Sequence, residues 1–389
     1  MPELPERKRS SARGLTLALA CVLAAAAAGP TAAASAAVTL SLHPTTAAHG
    51  STVTFSGAVT PAAVTPVEIY SWDGAAWRFV VGGASEADGS YVLRAAVRAP
   101  GNVVARAGGD ESAAVRLRIR PSLRARLEGL AVVGGNVRVR GRLRPRTAGV
   151  LQLTVRGRHR RVAVGATGRF SAPVSTRRAG RVRISLALRP AAGFAAPRRT
   201  WVRRIQAPVL RLGSRGPAVR LLERRLRGLR YVVRGVNQRF GVDTRDAVYA
   251  FEKVEGLGRD GVVDLRLWRR LLDARTPRPA VRRGRYVEVD KSRQVLFEVE
   301  RGKVVRVMHV STGATGNTPV GRWRIYRKSP GTNSLGMYYS LYFLRGFAMH
   351  GYASVPTFPA SHGCVRVPMW YAFGLYSRWS LGDVVRVYA

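Results

Sequence analysis

At 389 residues the chain is too long for one compact core, so several modules in series are expected. Its formal net charge of +43, from 65 Lys and Arg against 22 Asp and Glu with only five lysines, sets up a field that attracts polyanions. Basic and aromatic residues are not interleaved in the way that stacks bases, which weighs against nucleic acid as that partner.

Positions 1–36 read as a signal peptide, with Arg7, Lys8, Arg9 and Arg13 as the basic region, Leu15 to Ala28 as the apolar run and Ala34-Ser35-Ala36 as the cleavage site. The run is shorter than the roughly 18 to 20 residues that span a bilayer, and no later segment is both long and uncharged, so the mature chain is not expected to be transmembrane. Cys21 falls in the run, but Ala18-Leu19-Ala20 is not the order of a lipid-attachment site. Removal of the segment leaves Cys364 as the one thiol, which excludes an internal disulfide and calls for a chemical reason to keep it. An exported chain this basic meets anionic wall polymers or acidic lipid headgroups first; an arginine-biased coding sequence is the competing reading of the charge.

Residues 38–206 show short alternating runs between Gly, Pro and Asp turns, the pattern of antiparallel strands in a sandwich. Ser51 to Gly57 followed by Pro61 matches Asn136 to Gly141 followed by Pro145, and Asp88-Gly89-Ser90-Tyr91 matches Thr167-Gly168-Arg169-Phe170. The reading is an internal repeat of two Ig-like β-sandwich domains, 38–120 and 121–206, acting as a spacer.

Helical spacing begins after Pro208: Val219, Leu222, Leu226 and Leu229 fall on one face, with Arg220, Glu223, Arg224, Arg225 and Arg227 on the other. A second helix is expected after Thr244 as N-cap, with Ala247, Val248 and Phe251 inward. Leu212-Gly213-Ser214-Arg215-Gly216, Phe240-Gly241, Gly256-Leu257, Asp260-Gly261-Val262-Val263 and Trp268 complete a stretch, 208–274, that resembles the small three-helix peptidoglycan-binding module. It departs from the family pattern at Arg230 and Asp264, where glycine is frequent, and at Glu252, where glutamine is. The resemblance implies peptidoglycan as a partner. Thr276-Pro277-Arg278-Pro279 reads as a short tether through which this module raises the local concentration of substrate.

Strand patterns return at Arg285 to Val289, Gln294 to Val299, Val304 to Ser311 and Gly321 to Tyr326, giving a β-rich C-terminal domain over 284–389. Within it, Met349 to Val367 holds the residue types that thiol chemistry needs. A thiol near its ordinary pKa of about 8.5 is mostly protonated at neutral pH, so a nucleophilic Cys364 needs a neighbouring base, and either His350 or His362 can serve. Gly363 lets the backbone pass close to a substrate carbonyl, with the amides of Gly363 and Cys364 as candidate oxyanion donors. Arg366 shares a face with Cys364 if the segment is extended and is a candidate ligand for a substrate carboxylate, with Ser361 and Tyr352 as further candidate substrate contacts. A zinc site wants a third or fourth ligand, and only His309 lies nearby in sequence, so no metal is expected.

Ser361-His362-Gly363-Cys364-Val365-Arg366 is similar to the signature of the L,D-transpeptidase (YkuD-type) catalytic domain, and Ser311-Thr312-Gly313, Thr318-Pro319-Val320-Gly321 and His350-Gly351 agree with it. The resemblance implies that Cys364 attacks, His350 is the general base, the carbonyl of Gly351 orients it, and His362 supports the loop and thiolate. It also implies a secreted acyltransferase without cofactor, whose cysteine forms a thioester with a tetrapeptide stem and makes 3-3 crosslinks. An L,D-carboxypeptidase and a noncatalytic wall-binding protein remain as alternatives. The interval from His350 to Ser361 is shorter than in many members and leaves the substrate lid open to question.

Overall fold

The computed structural model describes residues 37–389, so the expected signal peptide and Cys21 lie outside the described residues. Alternation of buried and exposed side chains builds the first two layers. In Thr52–Thr60, Val53, Phe55 and Val59 turn inward while Thr52 and Thr60 face out. This strand is flanked by Ala37–Val38 and Ser41–His43 on one side and Ser90–Ala96 on the other. A second sheet runs Thr46–Ala48, Val115–Arg120, Gly101–Ala107, Pro66–Trp72, Trp77–Ala84, and Val53, Phe55, Ile69, Val103 and Ile119 belong to the core they share. Past Pro121 the plan recurs: Ser122–Glu128, Arg138–Arg144 and Arg169–Pro173 form one sheet, and Arg158–Val162, Gly149–Val155, Gly180–Pro190 and Arg198–Ile205 the other.

The expected repeat has a structural basis. Gly57 pairs with Tyr91 and Gly141 with Phe170, and a Cβ at either glycine would lie 2.7 Å from the Tyr91 oxygen or 2.6 Å from the Phe170 ring. Gly89 and Gly168 both adopt left-handed φ, +79° and +77°, in the preceding turns, and their carbonyls accept from Val59 and Leu143.

Three helices follow: α1 (Pro217–Gly228), α2 (Val242–Glu255) and α3 (Leu265–Asp273). Val219, Leu222 and Leu226 are buried as their spacing requires, but Glu223 is buried with them, because its carboxylate caps the amide of Gln238 at 3.1 Å. Thr244 is not the N-cap of α2. Gly241 holds that place, and Thr244 sits buried inside the first turn. The departures from the family pattern are accommodated locally: Arg230 takes φ +76°, Asp264 caps α3 by accepting from Leu267 at 2.8 Å, and buried Glu252 accepts from Gly261.

The C-terminal domain pairs a five-stranded sheet, ordered Lys303–His309, Val295–Glu300, Tyr286–Asp290, Val384–Tyr388, Gly321–Arg324, with a four-stranded sheet, ordered Arg327–Thr332, Tyr338–Leu344, Phe347–Tyr352, Val365–Pro368. Val287, Leu296, Met308, Leu341, Met349, Val365 and Val367 share one core with Tyr371 and Trp379 of and beside helix α4 (Met369–Arg378). Fully buried Glu298 fastens α4 to the five-stranded sheet, accepting from Tyr371 Oη, Trp379 Nε1 at 3.0 Å and Arg378 Nη2 at 2.6 Å.

The helical module is docked on this domain rather than hanging from a tether. Residues 230–232 exchange backbone bonds with Val307, and Leu222 and Phe251 lie in the same apolar cluster as Val295, Phe297 and Val307. Across the seam, buried Lys253 donates to the carbonyls of Gln294 at 2.9 Å and Val310 at 2.8 Å, and Trp370 donates to Asp246 at 2.8 Å. Among the described residues no helix is long and apolar enough to cross a membrane.

Candidate active site

The strands Phe347–Tyr352 and Val365–Pro368 run parallel, pairing Met349 with Val365 and His350 with Arg366. Extending that register by one residue sets Cys364 beside Ala348. Ala348 and His350 lie two apart on one strand and Cys364 and Arg366 two apart on the next, so all four share one face and Cys364 is the diagonal neighbour of His350. The cysteine is half-buried against Met337, Tyr342 and Ala348, with Sγ 3.7 Å from the carbonyl of Gly346.

His350 is buried, and its Nδ1 lies 3.0 Å from the carbonyl oxygen of Gly351. A carbonyl only accepts, so Nδ1 carries the proton and Nε2 has the free lone pair. Gly351 has a steric reason to be glycine, since a Cβ there would approach Ala372 of α4 to 2.7 Å. Burial, with Arg366 adding repulsion, holds the His350 imidazolium below its ordinary pKa of 6.5. Burial likewise pushes the Cys364 thiol above its ordinary value, against smaller lowering by the Ala348 amide and Arg366. The resting pair is therefore neutral thiol and neutral imidazole.

The loop before the cysteine is held by residues whose roles the sequence left undefined. Thr318, 1 % exposed, donates to the Gly363 carbonyl at 2.8 Å and accepts from the Gly313 amide at 2.9 Å. Asn317 donates to the carbonyl of His362 at 2.9 Å. Ser311 exchanges backbone bonds with Arg366, and Thr312 accepts from the amides of Ala360 and Ser361. Gln294 in turn grips Thr312 by two side-chain bonds, at 2.7 and 2.8 Å. Thr318 and Ser311 to Gly313 stand in the motifs that carry the resemblance, but a motif names residues without saying that they brace this turn.

The structure redistributes the remaining expected site residues. Ser361 is buried, with its hydroxyl donating to the Cys364 carbonyl at 2.6 Å and accepting from the Gly363 amide at 3.0 Å, so both bonds brace the turn. The second bond commits the Gly363 amide, leaving that of Cys364 as the candidate oxyanion donor of the two. Gly363 itself has φ +129°, and a Cβ there would meet the Phe347 ring at 2.4 Å. The His362 ring is exposed and has no hydrogen bond among the described residues, so its contribution to the loop is through its backbone. Arg366 stacks over the Tyr352 ring at 4.1 Å, and Tyr352 meets His350 edge-on at 5.8 Å, which puts both beside His350. His309 lies in the seam, Nε2 3.6 Å from Asp246, not near Cys364 in the same cluster. Among the described residues no group of three or more His, Cys, Asp or Glu is placed to hold a metal ion.

Residues 284–387 match the family model described as the YkuD L,D-transpeptidase catalytic domain. A solved L,D-transpeptidase from Xylanimonas cellulosilytica is 36% identical, over 47% of this chain and 99% of its own, with a TM-score of 0.45. The chain belongs to the L,D-transpeptidase family. A second L,D-transpeptidase, from Stackebrandtia nassauensis, is 25% identical over 46% of this chain and 95% of its own, with a TM-score of 0.30. Residues 215–271 match a putative peptidoglycan binding domain, so this L,D-transpeptidase has peptidoglycan as its partner and carries the module docked on its catalytic domain. No curated protein matches the chain. The peptidoglycan-related domains point to a cell-wall, extracytoplasmic location.

Proposed function

We propose that this L,D-transpeptidase is secreted, that Cys364 is its nucleophile, and that it makes 3-3 crosslinks from tetrapeptide stems. The observation that carries the reading is the diagonal placement of Cys364 and His350 on one sheet face, with the Gly351 carbonyl fixing the tautomer that leaves Nε2 able to accept a proton. The basic and apolar pattern of residues 1–36 supports export.

The chemistry runs in two halves. Cys364 Sγ attacks the carbonyl carbon between the third stem residue and terminal D-alanine while its proton moves to His350 Nε2. The Cys364 amide stabilises the oxyanion, the C–N bond breaks, and His350 returns the proton to the departing D-alanine amine, leaving a thioester. The side-chain amine of another stem then attacks the thioester, gives its proton to His350, and releases the crosslinked product and the cysteine. Substrate contact falls to Arg366 and Tyr352 in this reading, which their stack beside His350 supports, and the holding of the loop to Gly363, Ser361 and His362, which their hydrogen bonds support. The +43 charge supports anionic wall polymers as additional partners.

The test is incubation of the purified mature protein with disaccharide-tetrapeptide and identification of products by mass spectrometry. Crosslinked dimer with loss of D-alanine is expected. Tripeptide stems alone would make the enzyme a carboxypeptidase, and unchanged substrate would leave it a wall-binding protein.

A further inference from the structure

The arginines of this chain are unevenly placed, and the two β-sandwiches supply an internal control. Gly57 and Tyr91 in the first correspond to Gly141 and Phe170 in the second, which fixes the alignment of the two sheets residue by residue. At five matched outward positions the first sheet carries Thr39, Ser41, Ser56, Ala58 and Ser90. The second carries Arg124, Arg126, Arg140, Arg142 and Arg169. The first sheet carries one arginine on that face, Arg94 opposite Thr54, and a coding bias that acts on both repeats alike does not explain five positions that are neutral in one and cationic in the other.

These five arginines line a groove of about 580 Å³ on the sheet of Ser122–Glu128, Arg138–Arg144 and Arg169–Pro173, with Gly141 between them. Arg124 stands directly opposite Arg142, Arg126 opposite Arg140, and Arg142 opposite Arg169. Like charges directly across a ladder destabilise it. Glu128, at one end, is the carboxylate that meets Arg126 and Arg140; among the described residues no carboxylate is paired with Arg124, Arg142 or Arg169. Partial burial and then the nearby Arg144 and Arg169 hold the Arg142 guanidinium below its ordinary pKa, which reports the same crowding. A face built this way is relieved by a bound polyanion.

An arginine fork takes the two non-bridging oxygens of a phosphodiester as readily as the oxygens of a carboxylate, and a phosphodiester polymer carries one such group in every backbone unit, within reach of guanidiniums on both facing strands. Successive opposed pairs lie about 6.8 Å apart along the strands, so the groove takes a row of such groups. We infer that the outer sheet face of the second β-sandwich is a binding site for a linear phosphodiester polymer of the cell wall. This deepens the proposal of anionic wall polymers as partners by giving it a place, and it does not depend on the chemistry of Cys364.

The experiment grafts the first repeat onto the second, R124T/R126S/R140S/R142A/R169S, in the mature chain. The control removes five exposed arginines from the other sheet, R181S/R183S/R199S/R203S/R204S, at equal net charge. Binding of lipid-free poly(glycerol phosphate) is titrated against salt, with poly-L-glutamate of matched charge as second probe, after circular dichroism has shown both variants folded. The graft is expected to weaken poly(glycerol phosphate) binding at least tenfold and to lower the slope of log K against log salt by about 3, from roughly 0.7 per lost contact. The control is expected to change affinity less than threefold. Equal losses in graft and control would overturn the site and leave a diffuse field. Polyglutamate bound as tightly as the phosphate polymer would overturn the anion assignment, and no binding by the parent chain would remove the partner altogether.

Discussion

Replacing Thr318 with valine tests whether the turn before Cys364 is positioned by a side chain buried beneath it. The substitution keeps shape and removes one hydroxyl, which now donates to the Gly363 carbonyl at 2.8 Å and accepts from the Gly313 amide at 2.9 Å in a site 1 % exposed. Two buried backbone groups lose their partner, at about 1–3 kcal/mol each, offset by about 0.8 kcal/mol for the added apolar group, so a net loss of about 3 kcal/mol is expected. Against a typical total of about 5–15 kcal/mol the protein stays folded. The carbonyl released is that of the residue next to the proposed nucleophile, and a displacement of about 1 Å there costs on the order of 100-fold in rate. The assay pairs urea denaturation with kcat/KM on disaccharide-tetrapeptide at a temperature where the variant is folded by circular dichroism. A variant that loses stability as expected but stays within threefold of parent activity would show that Thr318 supports the fold without placing Cys364.

Burial lowers the His350 pKa below 6.5 and raises that of the Cys364 thiol above 9.0, so neutral base and thiol coexist between those values. The rate should be level across neutral pH and fall only as pH drops through the lowered histidine pKa; a pH profile of kcat/KM checks this, and an acid limb centred above 6.5 contradicts it. Gly363→Ala should lower activity at least 100-fold with the protein still folded, since φ +129° and contact with Phe347 at 2.4 Å force the turn to shift; kinetics and circular dichroism together report it. At the seam, burial pushes the Lys253 ammonium down to about 6, so above that pH the folded chain binds fewer protons than the unfolded one. The contribution of Lys253 to stability should therefore rise with pH from about 6 toward 10, opposed up to about 8 by Glu252, whose carboxyl burial raises to about 8, and Lys253→Met should remove that rise in urea denaturation at stepped pH.

The parts of the architecture that announce themselves by period were readable from residues alone: the α1 face of Val219, Leu222 and Leu226, and the alternation of Val53, Phe55 and Val59. Glu223 and Thr244 were misplaced because local pattern cannot show that a distant amide or a neighbouring layer covers a polar side chain. At the site, the residues of Met349 to Val367 stood together in one stretch, so their chemistry was legible. The braces were not, because Gln294, Thr312 and Thr318 reach the turn through long-range pairing that no spacing encodes. The docking of the helical module was equally hidden: a Pro-rich connection reads as a tether, and the Lys253 bonds that close the seam join residues 41 and 57 positions apart.

The most direct test of the account is to trap the acyl-enzyme. Mature protein and its Cys364→Ala variant are pulsed with tetrapeptide donor, quenched in acid, and examined by intact mass and peptide mapping. The account predicts a stem adduct, with D-alanine lost, on Cys364 of the parent and none on the variant. An adduct on another residue, or the same adduct in Cys364→Ala, would contradict it.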